Sequence, residues 1–431
     1  MTQETVRPRG LVGRTWMRLS HEVLHRAEPV MGRLVHPARL AWLGRVPAVP
    51  ASAVPRLRSP ARPWTAAVPE PPAELRTQPG IGRTSAAEDE AARDRPLHHF
   101  FALHADAVAK VSGYLWPALV SVAPRLVRST TQLIASRSEP AGRATAEDPT
   151  TLAGSLRAEA AALGISATGV TSYDPRYQFA EFPGPEVGDR VIVCILEQNY
   201  EATQRIPAER SEQAALSTYA QLQDRLVELT RWLHARGFSA RAESYIGESM
   251  FIHYAVAAGL GQLGLNGQLL TPHAGSRCRI NVIHTDAPLP LDEPVDFGIE
   301  GVCDRCQACV RRCPVGAIPG RRREHRGVVK AKLNTKRCLP IVTQAAGCSV
   351  CMKVCPVQAY GLPAVLEEYE RSGEILGTHT DELEGYDWPL DGKHYPPGST
   401  PKVPDEVVRP EGYAFDPDRT DPPSGYPVLG A

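Results

Sequence analysis

Apolar positions recur with helical spacing through Leu152, Leu156, Ala160 and Leu163, which predicts a helix ending at Gly164. The next segment, Ile165–Thr171, reads as a short strand, and the β-branched run Arg190–Glu197 reads as a second, buried one. A long amphipathic helix is predicted over Ser211–Arg236, stopped by Gly237 in the C-cap position. Met250–Ala258 reads as a further helix and the run from Arg279 to Thr285 as a strand. Together these segments predict an α/β (α+β) domain of about 150 residues, with no internal repeat.

The pattern fades on both flanks. Residues 1–97 hold proline clusters and no lysine, and form an irregular Arg/Pro-rich extension. One stripe stands out in it: Val12, Trp16, Leu19 and Val23, interleaved with Arg14, Arg18 and Arg26, predict a short basic helix. Such a helix packs on its own domain or makes weak contact with a membrane surface or a partner. Residues 98–150 are assigned to a helical segment. Its apolar stretch Tyr114–Val127 is shorter than the roughly 20 residues a bilayer span needs, and is broken by Pro117 and Pro124. The layout is completed by a catalytic domain over 151–299, a cysteine-rich domain over 300–375 and an extended tail over 376–431.

Charge and composition narrow the function classes. The 431 residues carry 48 Lys plus Arg against 48 Asp plus Glu, so no global basic field argues for nucleic acid. The first residues lack the pattern of a secretory signal and any adjacent arginine pair, which predicts a cytoplasmic protein without a disulfide framework.

Eight of the ten cysteines lie between Cys303 and Cys355. Cys303, Cys306, Cys309 and Cys313 follow a CxxCxxCxxxCP spacing, in which three thiolates surround one cubane and the fourth serves a second cluster. That second cluster is supplied by Cys348, Cys351 and Cys355, followed by Pro356, with Cys338 upstream. The arithmetic closes on two [4Fe–4S] clusters: Cys303, Cys306, Cys309 and Cys355 for the first, Cys313, Cys338, Cys348 and Cys351 for the second. Zinc explains neither the third cysteine of the first run nor the proline after both runs. Of the remaining two, Cys194 reads as a buried thiol, and Cys278, between Arg277 and Arg279, as a candidate reactive one.

Gly259, Gly261 and Gly264 fit G-x-G-x-x-G, but a predicted helix precedes them where a nucleotide fold needs a strand, so the dinucleotide reading is rejected. The glycines still mark backbone that turns tightly or approaches a large flat group.

From Ala255 to Ile318 (AVAAGLGQLGLNGQLLTPHAGSRCRINVIHTDAPLPLDEPVDFG, then CDRCQACVRRCPVGAI) the chain resembles cobalamin-dependent reductive dehalogenases and the related epoxyqueuosine reductases. The resemblance continues through Arg337–Thr343 and GlyCysSerValCysMetLysValCysPro, and covers about residues 150–395. It implies a nitroreductase-like corrinoid-binding domain followed by a bacterial ferredoxin-like two-cluster domain. Electrons would pass through the clusters to make Co(I), which removes halide from an organohalide, an aromatic one by expectation. It further implies a tyrosine proton donor beside a cation that stabilises its anion; the matching positions are Tyr219 and Arg279, or its neighbour Arg277. Tyr245 falls where epoxyqueuosine reductases carry an acidic donor, and is a further catalytic candidate. Corrinoid contact is assigned to Gly259, Gly261, Gly264, Asn266 and Gly267. His253, Glu248 and His273 read as solvated or capped residues.

There are departures. Leu265 replaces a common Lys or Arg, the chain lacks D-x-H-x-x-G, and His394 follows Asp391 at the wrong spacing. The implied partners are a small-molecule substrate and an external donor such as ferredoxin or flavodoxin, with no clear nucleic-acid partner. Two alternatives stay open: an epoxyqueuosine-reductase-like or other cobalamin reductase of a non-halogenated substrate, and an iron–sulfur or corrinoid-binding accessory protein without substrate chemistry.

Overall fold

The computed structural model describes residues 64, 66–77, 115–137, 139, 147–178, 184, 187–245, 247–325, 328–334, 337–338, 341–342 and 345–404. The basic stripe from Val12 to Val23 lies outside them, as does the tail beyond residue 404.

Helix α1 (Leu115–Ser136) runs unbroken through Pro124. The sequence reading broke this stretch, but a proline removes only one ladder bond, and α1 has tertiary support. It lies along a longer helix and is tied to it by hydrogen bonds from Gln223 Nε2 to Ser129 Oγ (2.8 Å) and Thr130 Oγ1 (3.0 Å). Helix α2 (Pro149–Ala162) starts where Asp148 accepts hydrogen bonds from the Thr150 and Thr151 amides. It leads into strand β1 (Ala167–Ser172), then β2 (Arg190–Glu197). The long helix α3 spans Glu209–Ala235; β3 (Ala240–Ala242), α4 (Phe251–Ala257) and β4 (Cys278–Thr285) follow.

The four strands form one sheet in the order β1-β2-β4-β3, antiparallel at every pairing. The α/β (α+β) expectation therefore resolves to α+β. Strand β2 is central, and seven of its eight residues are buried, which is why it reads as an unbroken apolar run instead of alternating. Ile192, Cys194 and Leu196 face α2 and α3, while Val191, Val193 and Ile195 face α4 and Tyr177.

The cysteine-rich half has its own core. Helices α5 (Ile299–Cys306), α6 (Ala308–Arg312), α7 (Val350–Lys353), α8 (Pro356–Tyr360) and α9 (Leu362–Ser372) enclose it, and the hairpin of β5 (Arg323–His325) and β6 (Val328–Lys330) lies between α6 and α7 in the chain. Two flanking segments read as irregular are part of this core. Leu75, in a short 3₁₀ turn, is completely buried in it, and so, nearly, are Tyr386 and Trp388 of the tail. Arg312 fastens the tail by donating to the carbonyls of Glu384 (3.0 Å) and Tyr395 (2.7 Å). Leu75→Ala is expected to cost about 2–5 kcal/mol, read as a lower anaerobic melting temperature of the iron-loaded protein. No helix among the described residues is long and apolar enough to cross a membrane.

Candidate active site and cluster-binding region

Three side chains from separate elements meet at one place. Tyr219 projects from α3, Tyr245 from the loop after β3, and Arg279 from β4. The two phenol rings lie 5.6 Å apart, and the Arg279 guanidinium stands 5.1 Å from the Tyr219 ring centroid, within cation–π range. Burial, and then the neighbouring Tyr219, push the Tyr245 phenol up, so Tyr245 stays protonated.

Arg277 is not part of this group. It sits in the turn before β4, where strand alternation does not reach it, and its N–H donates to Ala274 O. Its buried guanidinium pairs with Glu197 and donates to Gln198 O (3.1 Å) and Gln358 Oε1 (3.0 Å), joining strand β2 to helix α8 of the cysteine-rich half. Cys278 is not electropositively activated either: burial pushes its thiol up to about 12, outweighing both arginines. Cys194 is likewise a buried thiol pushed up to about 12.

The site rests on residues that sequence reasoning missed. Gln223, one turn beyond Tyr219 on α3, accepts a hydrogen bond from the Tyr245 amide (2.9 Å). Glu243, completely buried, meets His284 Nε2 at 2.6 Å and accepts from the amides of Glu248 (2.5 Å) and Ser249 (3.1 Å), closing the loop that carries Tyr245. Burial alone pushes the Glu243 carboxyl up; the bonds from His284 and the loop reverse this and hold it below the ordinary range. Glu248, expected to be solvated, is 2% exposed and paired with Arg241 and Arg137. His253 is half-buried, and its desolvation lowers the imidazole to about 4. His394 is solvated on the tail, between Asp381 and Asp387.

Glu212 lies two turns before Tyr219 on α3. Burial pushes its carboxyl up while Arg279 draws it down, and its carboxylate abuts Gly347, the residue before Cys348. Ser244 Oγ, Ser276 Oγ, Arg279 Nε and both amide atoms of Asn281 are buried without a hydrogen-bond partner among the described residues. Asn281 shares a sheet face with Arg279. The unmatched atoms of Arg279 and Asn281 on that face fit a ligand that carries polar groups.

The glycine motif has another explanation. A Cβ on Gly259 would strike Glu293 O, one on Gly261 would strike Leu270 O, and one on Gly264 would lie 2.7 Å from Asn266 Oδ1, so the chain's own close packing demands these glycines. Asn266 and Leu265 line a cavity together with Cys303, Cys306, Cys309, Cys355 and Cys351. Gly267, at φ +71°, has only Leu333 near its missing Cβ.

The thiols fall into two neighbourhoods. Burial first, then Cys355 and Cys306, raise Cys303; Cys309 responds to Cys303, Cys351, Cys355 and Cys306. In the other set burial and Cys313 raise Cys338, and Cys348 feels Cys338 and Cys313. Cys351 feels all three of its own set, and Cys355 of the first. Among the described residues no three His, Cys, Asp or Glu close tightly enough for a single ion. Backbone amides point at the sulfurs: Leu265 at Cys303, Ala308 at Cys306, Val350 at Cys348, Val357 and Gln358 at Cys355, and Ala317 at Cys313 (3.2 Å). Such bonds set the reduction potential of a cluster. Gln307, Cys348 and Ser349 take left-handed backbone in these loops, a conformation kept where a site requires it.

The chain is similar to known proteins in its cysteine-rich half, in part of its sequence and in its fold. Residues 302–359 match the 4Fe-4S dicluster domain, which indicates two [4Fe–4S] clusters. The tetrachloroethene reductive dehalogenase of Sulfurospirillum multivorans is 31% identical over 185 residues, 40% of this chain and 36% of that protein. The epoxyqueuosine reductase of Synechococcus sp. (strain RCC307) is 29% identical over 204 residues, 42% of this chain and 59% of that one. The chain thus spans between about a third and three fifths of these relatives. A catabolic reductive dehalogenase, NpRdhA, in complex with 3-bromo-4-hydroxybenzoic acid, shares the fold with a TM-score of 0.57 at 19% identity, over 88% of this chain and 58% of that one. The chain is therefore a homologue of reductive dehalogenases and epoxyqueuosine reductases, built on the reductive dehalogenase fold around a 4Fe-4S dicluster domain.

Proposed function

We propose that the chain is a cobalamin-dependent iron–sulfur reductase of the reductive dehalogenase type, acting on an organohalide, aromatic by preference. The observation that carries this reading is the meeting of Tyr219, Tyr245 and Arg279. The reaction is R–X + 2e⁻ + H⁺ → R–H + X⁻. A corrinoid bound beside this group would supply the low-potential two-electron chemistry, and [4Fe–4S] clusters in the two thiol sets would supply single electrons.

The chain's own residues handle the proton and the charge. The Tyr219 hydroxyl gives its proton to the carbon that loses halide, and the Arg279 cation beside the ring stabilises the phenolate left behind. Tyr245, kept protonated, lines the pocket against Tyr219. Partnerless Asn281, Ser244 and Ser276 offer hydrogen bonds to a corrinoid's amide rim. Asn266 and Leu265 close the cavity of the first cluster, and Gly267 leaves backbone open to a neighbouring group. Electrons come from a separate carrier such as a ferredoxin or flavodoxin.

Anaerobic purification and reconstitution with a cobalamin test the reading. Eight iron and one cobalt per chain are expected, with halide released from a panel of halophenols. Eight iron without cobalt would leave an electron carrier, and cobalt binding with turnover only of an epoxyqueuosine-containing RNA would move the chain to the nucleoside reaction.

A further inference from the structure

We propose that the hairpin β5–β6 and the strands of chain at its base form the docking surface for an acidic electron-donor protein. The inference rests on the reading of the two thiol sets as an electron conduit.

Charge is concentrated here as nowhere in the overall balance. Among the described residues of 321–337 six are Lys or Arg and a single one, Glu324, is acidic, in a chain whose net charge is zero. Arg321, Arg323 and Arg337 are exposed, and Lys330 and Lys332 half-buried; Arg322 is taken up by Glu300 and Asp304. Val329, 52% exposed on β6, places an apolar contact among these cations.

The hairpin hangs from the backbone that carries two thiols of the second set. At its base the Asn334 amide donates to Ala317 O (2.8 Å), and the Cys338 amide donates to Asn334 O (3.0 Å). The Ala317 amide in turn donates to Cys313 Sγ at 3.2 Å. Cys313 and Cys338, like Cys351, are half-buried, whereas Cys348 of the same set is buried. A protein held by the hairpin therefore sits next to the two half-buried thiols, Cys313 and Cys338, on the hairpin's flank of the second set.

Electron donors need fast, transient association, and complementary charge delivers that: steering raises association rates by about 10–10³-fold and weakens with salt. RNA is the less suited partner. Residues 314–345 contain no Phe, Tyr or Trp on which an unpaired base could stack.

The test follows bleaching of the clusters in the reconstituted holoenzyme after mixing with flavodoxin hydroquinone. With wild-type protein the second-order rate constant is expected to fall as ionic strength rises. In the Arg321→Glu/Arg323→Glu variant it should be about 10-fold lower or less at low salt and lose most of its salt dependence; Lys330→Glu, tested separately, should act in the same direction. Reduction by photoreduced deazariboflavin, a small neutral donor, should be unchanged. Failure of deazariboflavin to reduce wild-type clusters would count against the conduit reading itself. Unchanged flavodoxin kinetics in both variants would overturn the docking surface alone, as would loss of transfer-RNA binding with the flavodoxin rate intact.

Discussion

Tyr219→Phe is expected to lower organohalide turnover by about 10²–10⁴-fold, the usual worth of a positioned general acid, with iron and cobalt content unchanged. That is about 3–5 kcal/mol of transition-state stabilisation. The substitution is small because the ring and its contacts with Tyr245 and Arg279 remain; only the hydroxyl that holds the proton is lost. Arg279→Met should act on the same step by removing the cation that stabilises the phenolate, and Arg279→Lys should retain part of the rate. The measurement is single-turnover halide release from the reduced, loaded enzyme, which separates chemistry from electron delivery. Full turnover in Tyr219→Phe would remove Tyr219 as proton donor and turn attention to Tyr245.

Glu243→Gln is expected to destabilise the protein by about 1–3 kcal/mol, the cost of leaving a buried hydrogen-bonding group unmatched. The neutral amide cannot serve both His284 and the Glu248 and Ser249 amides as the carboxylate does, so a buried polar group is left unmatched. The sign of the pH dependence follows from the depressed carboxyl. Its stabilisation is fully present above the ordinary glutamate value of about 4.3 and is lost as pH falls through the lower folded value. Anaerobic melting of wild type and variant between pH 6 and 8 should therefore show a constant gap, closing only toward acid. The loop between Glu243 and Ser249 carries Tyr245, so the variant should also loosen the pocket, seen as a higher KM. A variant as stable as wild type would contradict the buried pair's role.

The sequence made local features legible. The span of β2 was read to the residue, because a strand buried on both faces is a continuous apolar run. The eight cysteines sort into the two neighbourhoods that their spacing implies, since three of each set come from one short stretch of chain. Tyr219 and Arg279 emerged through resemblance, not periodicity, and Arg277 emerged with them, because two arginines either side of Cys278 look alike until the start of β4 separates them. What stayed hidden was contact between distant segments. Glu243 and His284 are 41 residues apart and neither has a distinctive neighbour. Leu75 lies among prolines that read as linker, yet it fills a core more than 200 residues further along. Gln223 alone left a trace: it stands four residues after Tyr219, one helical turn along the same face.

The crossing of the two thiol sets has a consequence for how the protein assembles. Cys355 follows the second motif yet closes the first set, and Cys313 ends the first motif yet belongs to the second. Each bound cluster is thus a staple across the intervening chain, including the cationic hairpin, and its binding offsets the loop-closure entropy that the iron-free chain loses when the thiols gather. Neither staple can be opened without slackening a strand that the other holds. Iron occupancy should then be all-or-none, eight atoms or none, with partly filled molecules scarce at every stage of reconstitution.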